Sequence, residues 1–141
     1  EKHGDPLEEV LNTCVAEDRK VFYIHGGVET SERERARQIC ETESNAIILA
    51  SYGTFSTGIN IRNLHNIIFA SPSKSRVRNL QSIGRVLRKG ENKSQAVLYD
   101  IADDCSRGSR QNYTLRHLVE RIKIYTEEKF NYEVSKIRFK T

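Results

Sequence analysis

A doubly wound, mostly parallel α/β sheet is the fold class that this 141-residue sequence predicts. Three observations point there. Short apolar runs alternate with helix-period patterns, the signature of strands joined by crossover helices. One run, Ala46-Ile47-Ile48-Leu49-Ala50, is apolar without a break, as in a strand covered on both faces. Polar, glycine-bearing turns follow the runs, and open α/β sheets place their ligands beyond the carboxyl ends of their strands.

Taken in order, Leu7, Val10, Leu11 and Cys14 fit a first amphipathic helix. Val21-Phe22-Tyr23-Ile24 is rich in β-formers and stops at His25-Gly26-Gly27. Thr30 to Cys40 fits a second helix, with Thr30 or Ser31 as N-cap and acids in the first turn. Ala46–Ala50 is the second strand. Ile67-Ile68-Phe69-Ala70 is the third, ended by Ser71-Pro72, and Ser75 to Arg88 is the next helix. Ala96-Val97-Leu98-Tyr99, with Ile101, is the fourth strand. Leu115, Leu118, Val119, Ile122 and Tyr125 mark a long final helix. Tyr132 to Phe139 alternates weakly and reads as a strand or a tail. The length suits one domain, 1–141. A helix comes first with no strand before it, so the chain reads as a piece of a longer protein.

Composition narrows the function. No apolar run approaches the roughly 18 residues of a membrane span, and no charged and apolar leader opens the chain. Cys14, Cys40 and Cys105 are scattered, without CxxC or zinc spacing, and read as reduced, mostly buried thiols of an intracellular (cytoplasmic) protein. The net charge of +4 hides an asymmetry. Residues 1–50 carry 6 Lys/Arg against 11 Asp/Glu, while 51–141 carry 17 against 8. Lys74, Arg76, Arg78, Arg85, Arg88, Lys89 and Lys93 stand against Glu91 alone, a stripe that attracts polyanions such as nucleic acid.

The most informative stretch is Gln81-Ser82-Ile83-Gly84-Arg85-Val86-Leu87-Arg88. On a helix, Gln81, Arg85 and Arg88 share one face, while Leu80, Ile83 and Leu87 lie on another. Two preset guanidinium forks on a rigid rod suit the oxygens of a phosphate chain. By itself such a pattern also describes an ordinary solvated face. Ser51-Tyr52-Gly53-Thr54-Phe55-Ser56-Thr57-Gly58-Ile59-Asn60 is the second constellation. It offers hydroxyls and backbone N–H groups to a nucleotide or phosphate backbone, with Asn60 able to bond a sugar hydroxyl. An ordinary polar loop would read the same.

Together these segments resemble the C-terminal RecA-like lobe of superfamily 2 helicases. Residues 81–88 match the family's QxxGRxxR motif at every fixed position. Residues 51–60 look like its motif V, closing on Gly58-Ile59-Asn60. Tyr23-Ile24-His25-Gly26-Gly27 looks like the strand and turn that meet the nucleic-acid backbone. Ala50-Ser51-Tyr52-Gly53, Ile83–Lys89 and Glu128-Lys129-Phe130-Asn131-Tyr132 look like the bacteriophage UvsW-type branch of DNA helicases. Tyr52 stands where many relatives have Thr, and Asn60 replaces the commoner acid.

The resemblance implies half of a motor: a P-loop NTPase-type C-terminal lobe lacking its own Walker A sequence. ATP with Mg2+ would be held mainly by an N-terminal RecA-like lobe. Arg85 and Arg88 would serve as arginine fingers, with Gln81 at the γ-phosphate and Gly58 and Asn60 near the nucleotide. His25, Gly26, Gly27, Ser51, Tyr52 and Lys74 would face single-stranded or branched DNA. No metal ligand is expected on this half. Other readings are an RNA-directed helicase lobe, a non-catalytic nucleic-acid-binding module, and a signalling domain using Asp100, Asp103 and Asp104 for a metal.

Overall fold

Lys20–Ile24 (β1) and Ala46–Ala50 (β2) pair in parallel, Lys20 opposite Ala46 and Ile24 opposite Ala50. The computed structural model describes residues 4–54, 61–70, 96–110 and 112–139. Within these, Gly4–Cys14 (α1), Thr30–Thr42 (α2) and Tyr113–Glu127 (α3) are helical, and Asn66–Phe69 (β3) and Val97–Asp100 (β4) are strands. The expected helix over 75–88 lies outside the described residues. So does His3.

The described residues fall into two compact units. The first holds 4–54, 61–67 and 96–99. Here α1 packs on β1 and β2, and α2 packs on β2. Helix α1 lays half-buried Leu7 and Leu11 inward and leaves Val10 exposed. The Tyr23 ring lies so close over Gly4 that a Cβ there would collide with the phenol. Helix α2 buries Ala36 and Cys40 at i, i+4 spacing. Burial, and then the nearby charge of Glu43, pushes the Cys40 thiol up to about 11. Ile24 and Ile61 complete this core. Asn63 closes the end of α2, its amide donating to the carbonyls of Cys40 and Glu43 at 3.2 Å each.

Three expectations for this unit need correction. The N-cap of α2 is Glu29, not Thr30 or Ser31, because the ladder already starts with Arg33 N–H donating to the Glu29 carbonyl. Strand β2 is half-buried at all five positions rather than fully covered. Of the three free thiols only Cys40 is buried; Cys14 and Cys105 are exposed.

Strands β3 and β4 form a two-stranded sheet. Val97 N–H donates to the His65 carbonyl and Ile101 N–H to that of Phe69, so donor and acceptor advance together, as in a parallel pair. His65 itself is exposed, bonded to Asn63.

The second unit holds 68–70, 100–110 and 112–139. Its centre is an ion pair. Arg121 is 1% exposed and grips Asp100 with both forks, Nε to Oδ2 at 2.7 Å and Nη2 to Oδ1 at 2.8 Å. The Tyr125 hydroxyl, one helical turn on, donates to the same carboxylate at 2.6 Å. Burial first, and then the Asp100 carboxylate, push the Tyr125 phenol far up. Its folded pKa is raised, so this contribution to stability is complete below the unfolded value of about 10 and is lost as pH rises above it. His117, a turn before Arg121, is buried with its ring edge-on to Tyr113 at 4.1 Å. Asp100 therefore serves structure. Ser106, and then the Lys136 ammonium, hold the Asp104 carboxyl down at about 2. Among the described residues no group of three or more His, Cys, Asp or Glu is placed to hold a metal.

Helix α3 ends with Lys129 at φ 56°, Phe130 N–H reaching back to the Tyr125 carbonyl at 2.9 Å and Lys129 N–H to that of Thr126. That is the paired bonding of a left-handed cap. Residues 131–139 are exposed without regular structure, so the weak alternation there marks a tail. No helix among the described residues is long and apolar enough to cross a membrane.

Two stability outcomes follow. Asp100→Asn strands the buried Arg121 charge and should cost about 3–5 kcal/mol in urea denaturation; a loss within experimental error would contradict a buried pair. Lys129→Gly removes a left-handed lysine and should stabilise by about 1 kcal/mol.

Candidate nucleic-acid interface

The parallel register sets the geometry of this edge. Because Ile24 pairs with Ala50, β1 and β2 end level, and Ser51 N–H donates to the Ile24 carbonyl at 3.1 Å. The turn after β1 and the corner after β2 therefore begin side by side. This is the carboxyl end of the sheet, where α/β folds hold ligands.

After β1 the chain reverses over His25-Gly26-Gly27-Val28. Val28 N–H returns to the His25 carbonyl at 3.1 Å. Gly27 N–H donates to His25 Nδ1 at 3.2 Å. The His25 ring leans on Tyr23, centroids 4.9 Å apart, so it is held from both sides. A Cβ on Gly27 would come within 3.1 Å of that ring, which explains the small residue. From α2, Arg33 reaches back beneath the turn. Its Nε donates to the Val28 carbonyl at 2.8 Å and its Nη2 to the Gly26 carbonyl at 3.0 Å.

After β2, residues 52–54 are helical, with Ser51 just before them. The Ser51 and Thr54 hydroxyls share a hydrogen bond of 2.8 Å, and Thr54 is buried. Tyr52 is half-buried and Gly53 exposed, with open space where a Cβ would stand.

Five of the expected contact residues, His25, Gly26, Gly27, Ser51 and Tyr52, thus share one edge of one unit. Gly58, Asn60, Lys74, Gln81, Arg85 and Arg88 lie outside the described residues. Sequence reasoning missed Arg33 and Thr54. Arg33 follows a double glycine and lies in helical register with Ala36 and Cys40, which was the available signal. The local electrostatics are mixed. Glu29 and Glu32 are exposed at the start of α2, where they suit the helix dipole but oppose a phosphate. Arg33 is the countervailing charge under the turn.

Comparison with known proteins gives the family. The family model described as the helicase conserved C-terminal domain matches residues 3–90. The chain belongs to that family. It is 38% identical to the ATP-dependent DNA helicase uvsW of Enterobacteria phage T4, across 93% of this chain and 28% of that protein. It is 34% identical to a putative ATP-dependent RNA helicase of African swine fever virus, across 75% of this chain and 19% of the viral protein. The chain thus spans under a third of either relative. Among solved structures, the C-terminal part of the Fun30 ATPase domain superposes with a TM-score of 0.54 at 19% identity, over 92% of this chain and 46% of that one. That likeness shows the fold, a RecA-like α/β lobe with parallel strands, as the sequence predicts.

The bond from Gly27 N–H requires a lone pair on His25 Nδ1, so the neutral ring must carry its proton on Nε2. Long-range ¹⁵N–¹H spectra should show Nδ1 as the unprotonated nitrogen; a protonated Nδ1 in the neutral ring would refute the turn geometry.

Proposed function

We propose that residues 1–141 form the C-terminal motor lobe of an ATP-dependent DNA helicase or translocase that acts on branched or recombination DNA. The observation that carries this reading is the 38% identity with the phage DNA helicase, which runs through 93% of the chain. The shared edge of the 25–28 turn and the 51–54 corner supports it, because a surface able to follow a sugar-phosphate backbone is what such a lobe needs.

In this reading His25, Gly26, Gly27, Ser51 and Tyr52 line the path of the tracked strand, and Lys74 adds sequence-blind charge. Arg85 and Arg88 are arginine fingers, and Gln81 sits at the γ-phosphate or its attacking water. Gly58 and Asn60 lie beside the nucleotide, where a neutral Asn can bond the ribose. ATP, held with Mg2+ mainly by the N-terminal RecA-like lobe, supplies the phosphoryl group whose transfer to water drives the motor. The arginines stabilise the charge that develops during transfer, a contribution of roughly 10³ to 10⁵ in rate. Differential contact of the two lobes with the γ-phosphate then opens and closes the cleft and steps the protein along DNA. Such a motor works inside the cell, in DNA repair or recombination. The chain alone hydrolyses no ATP.

In the full-length protein, Arg88→Ala should lower DNA-stimulated ATPase turnover by roughly 10³-fold, with an unchanged circular dichroism spectrum. Turnover close to wild type would remove the finger assignment. An RNA-directed motor is the second reading, favoured by the viral relative named as a putative RNA helicase. Stimulation by single-stranded RNA exceeding that by DNA at matched length and salt would decide for it.

A further inference from the structure

We infer that Arg33 is a positioning residue for the strand-contacting turn: it fixes the backbone of 26–28 from beneath and does not itself touch nucleic acid. This rests on the reading that the 25–28 turn meets the strand.

The turn is intrinsically loose. Two consecutive glycines, Gly26 and Gly27, give it more backbone freedom than any other pair of residues would. A loose loop loses affinity, because the cost of ordering it is deducted from every contact it makes. Arg33 removes that freedom. Its fork bridges two carbonyls on either side of Gly27, at 2.8 and 3.0 Å. Another carbonyl of the turn, on His25, accepts Val28 N–H. Three of the turn's four carbonyls, those of His25, Gly26 and Val28, thus accept a hydrogen bond that fixes the backbone.

The placement of Arg33 follows from α2. Arg33, Ala36 and Cys40 recur at i, i+3, i+7 and share a face, and Ala36 and Cys40 are buried. Arg33 is therefore half-buried on the packed side of its helix rather than out among the exposed Glu32, Glu34 and Arg35. Helical side chains lean toward the N-terminus, which carries the guanidinium back under the turn. With Nε and Nη2 both committed to carbonyls, a lysine cannot substitute. An ammonium is a point donor and has no planar fork to span both carbonyls.

The test uses the full-length protein and a single-stranded DNA of fixed length, with binding followed by fluorescence anisotropy over a salt series. Arg33→Ala and Arg33→Lys should both weaken binding by roughly five- to tenfold. In both, the slope of log affinity against log salt should stay at the wild-type value, since no phosphate contact is lost. Wild-type affinity in Arg33→Lys would mean that charge alone matters and would overturn the inference. So would a salt slope smaller by roughly one unit in Arg33→Ala, the mark of a direct phosphate contact. His25→Ala separates the two levels. If it weakens binding while both Arg33 variants bind normally, positioning fails and the interface stands. If none of the three changes binding, the interface itself fails.

Discussion

The parallel ladder between β1 and β2, closed by the Ser51 N–H bond to the Ile24 carbonyl, is the constraint on which the rest depends. A parallel pair can end level only if its register is fixed, and a slip of one residue would turn every side chain of a strand to the other face. Here the register is held by the apolar demands of both strands and by the fastening at their far ends. There Lys20 N–H reaches the Asn45 carbonyl, the Asn45 amide donates to the Asp18 carbonyl at 2.7 Å, and Lys20 pairs with Glu43. With both ends tied, the turn at 25–28 and the corner at 51–54 have one relative placement. A surface that recognises a repeating backbone needs that placement more than it needs any one side chain.

The two units solve the problem of polar groups in opposite ways. In the first, the polar edge is assembled from backbone groups, and the half-buried Arg33 spends its charge on carbonyls. In the second, a full ion pair is buried, Arg121 against Asp100, with Tyr125 filling a further lone pair. A buried pair of this kind adds little net stability over an apolar core, but it is costly to break. It also leaves Arg121 Nη1 without a hydrogen-bond partner among the described residues, so the arrangement is not optimised for stability alone. Only one rotation of α3 brings both Arg121 and Tyr125, a turn apart, onto the end of β4.

Much of the fold could be read from the sequence because its signals are local. Runs such as Ala46–Ala50 and Val21–Ile24 are apolar and bounded by polar residues, and the observed strands match them closely. The same holds for α3, whose apolar spacing places it correctly. What could not be read depends on partners distant in sequence. Nothing in the spacing of Asp100, Arg121 and Tyr125 announces that they meet. Asp100 was open to a metal reading for that reason. Arg33 was hidden for another: its partners are carbonyls, which every residue has. The cap of α2 was misplaced because side-chain preference pointed to Thr30 or Ser31, whereas the backbone ladder began at Glu29. For the candidate site, the motifs pointed to the 25–27 turn and the 51–52 corner, and the structure sets these side by side. The residues proposed to face the nucleotide, Gly58, Asn60, Gln81, Arg85 and Arg88, lie outside the described residues, and their proposed roles rest on motif chemistry and family membership.

Amide hydrogen exchange on the full-length protein, with and without single-stranded DNA, tests the central claim most directly. The account predicts that DNA slows exchange at 25–28 and 51–54 together, that the protection fades with added salt, and that the tail at 131–139 exchanges as before. DNA-dependent protection confined to other segments, with 25–28 and 51–54 unchanged, would contradict it.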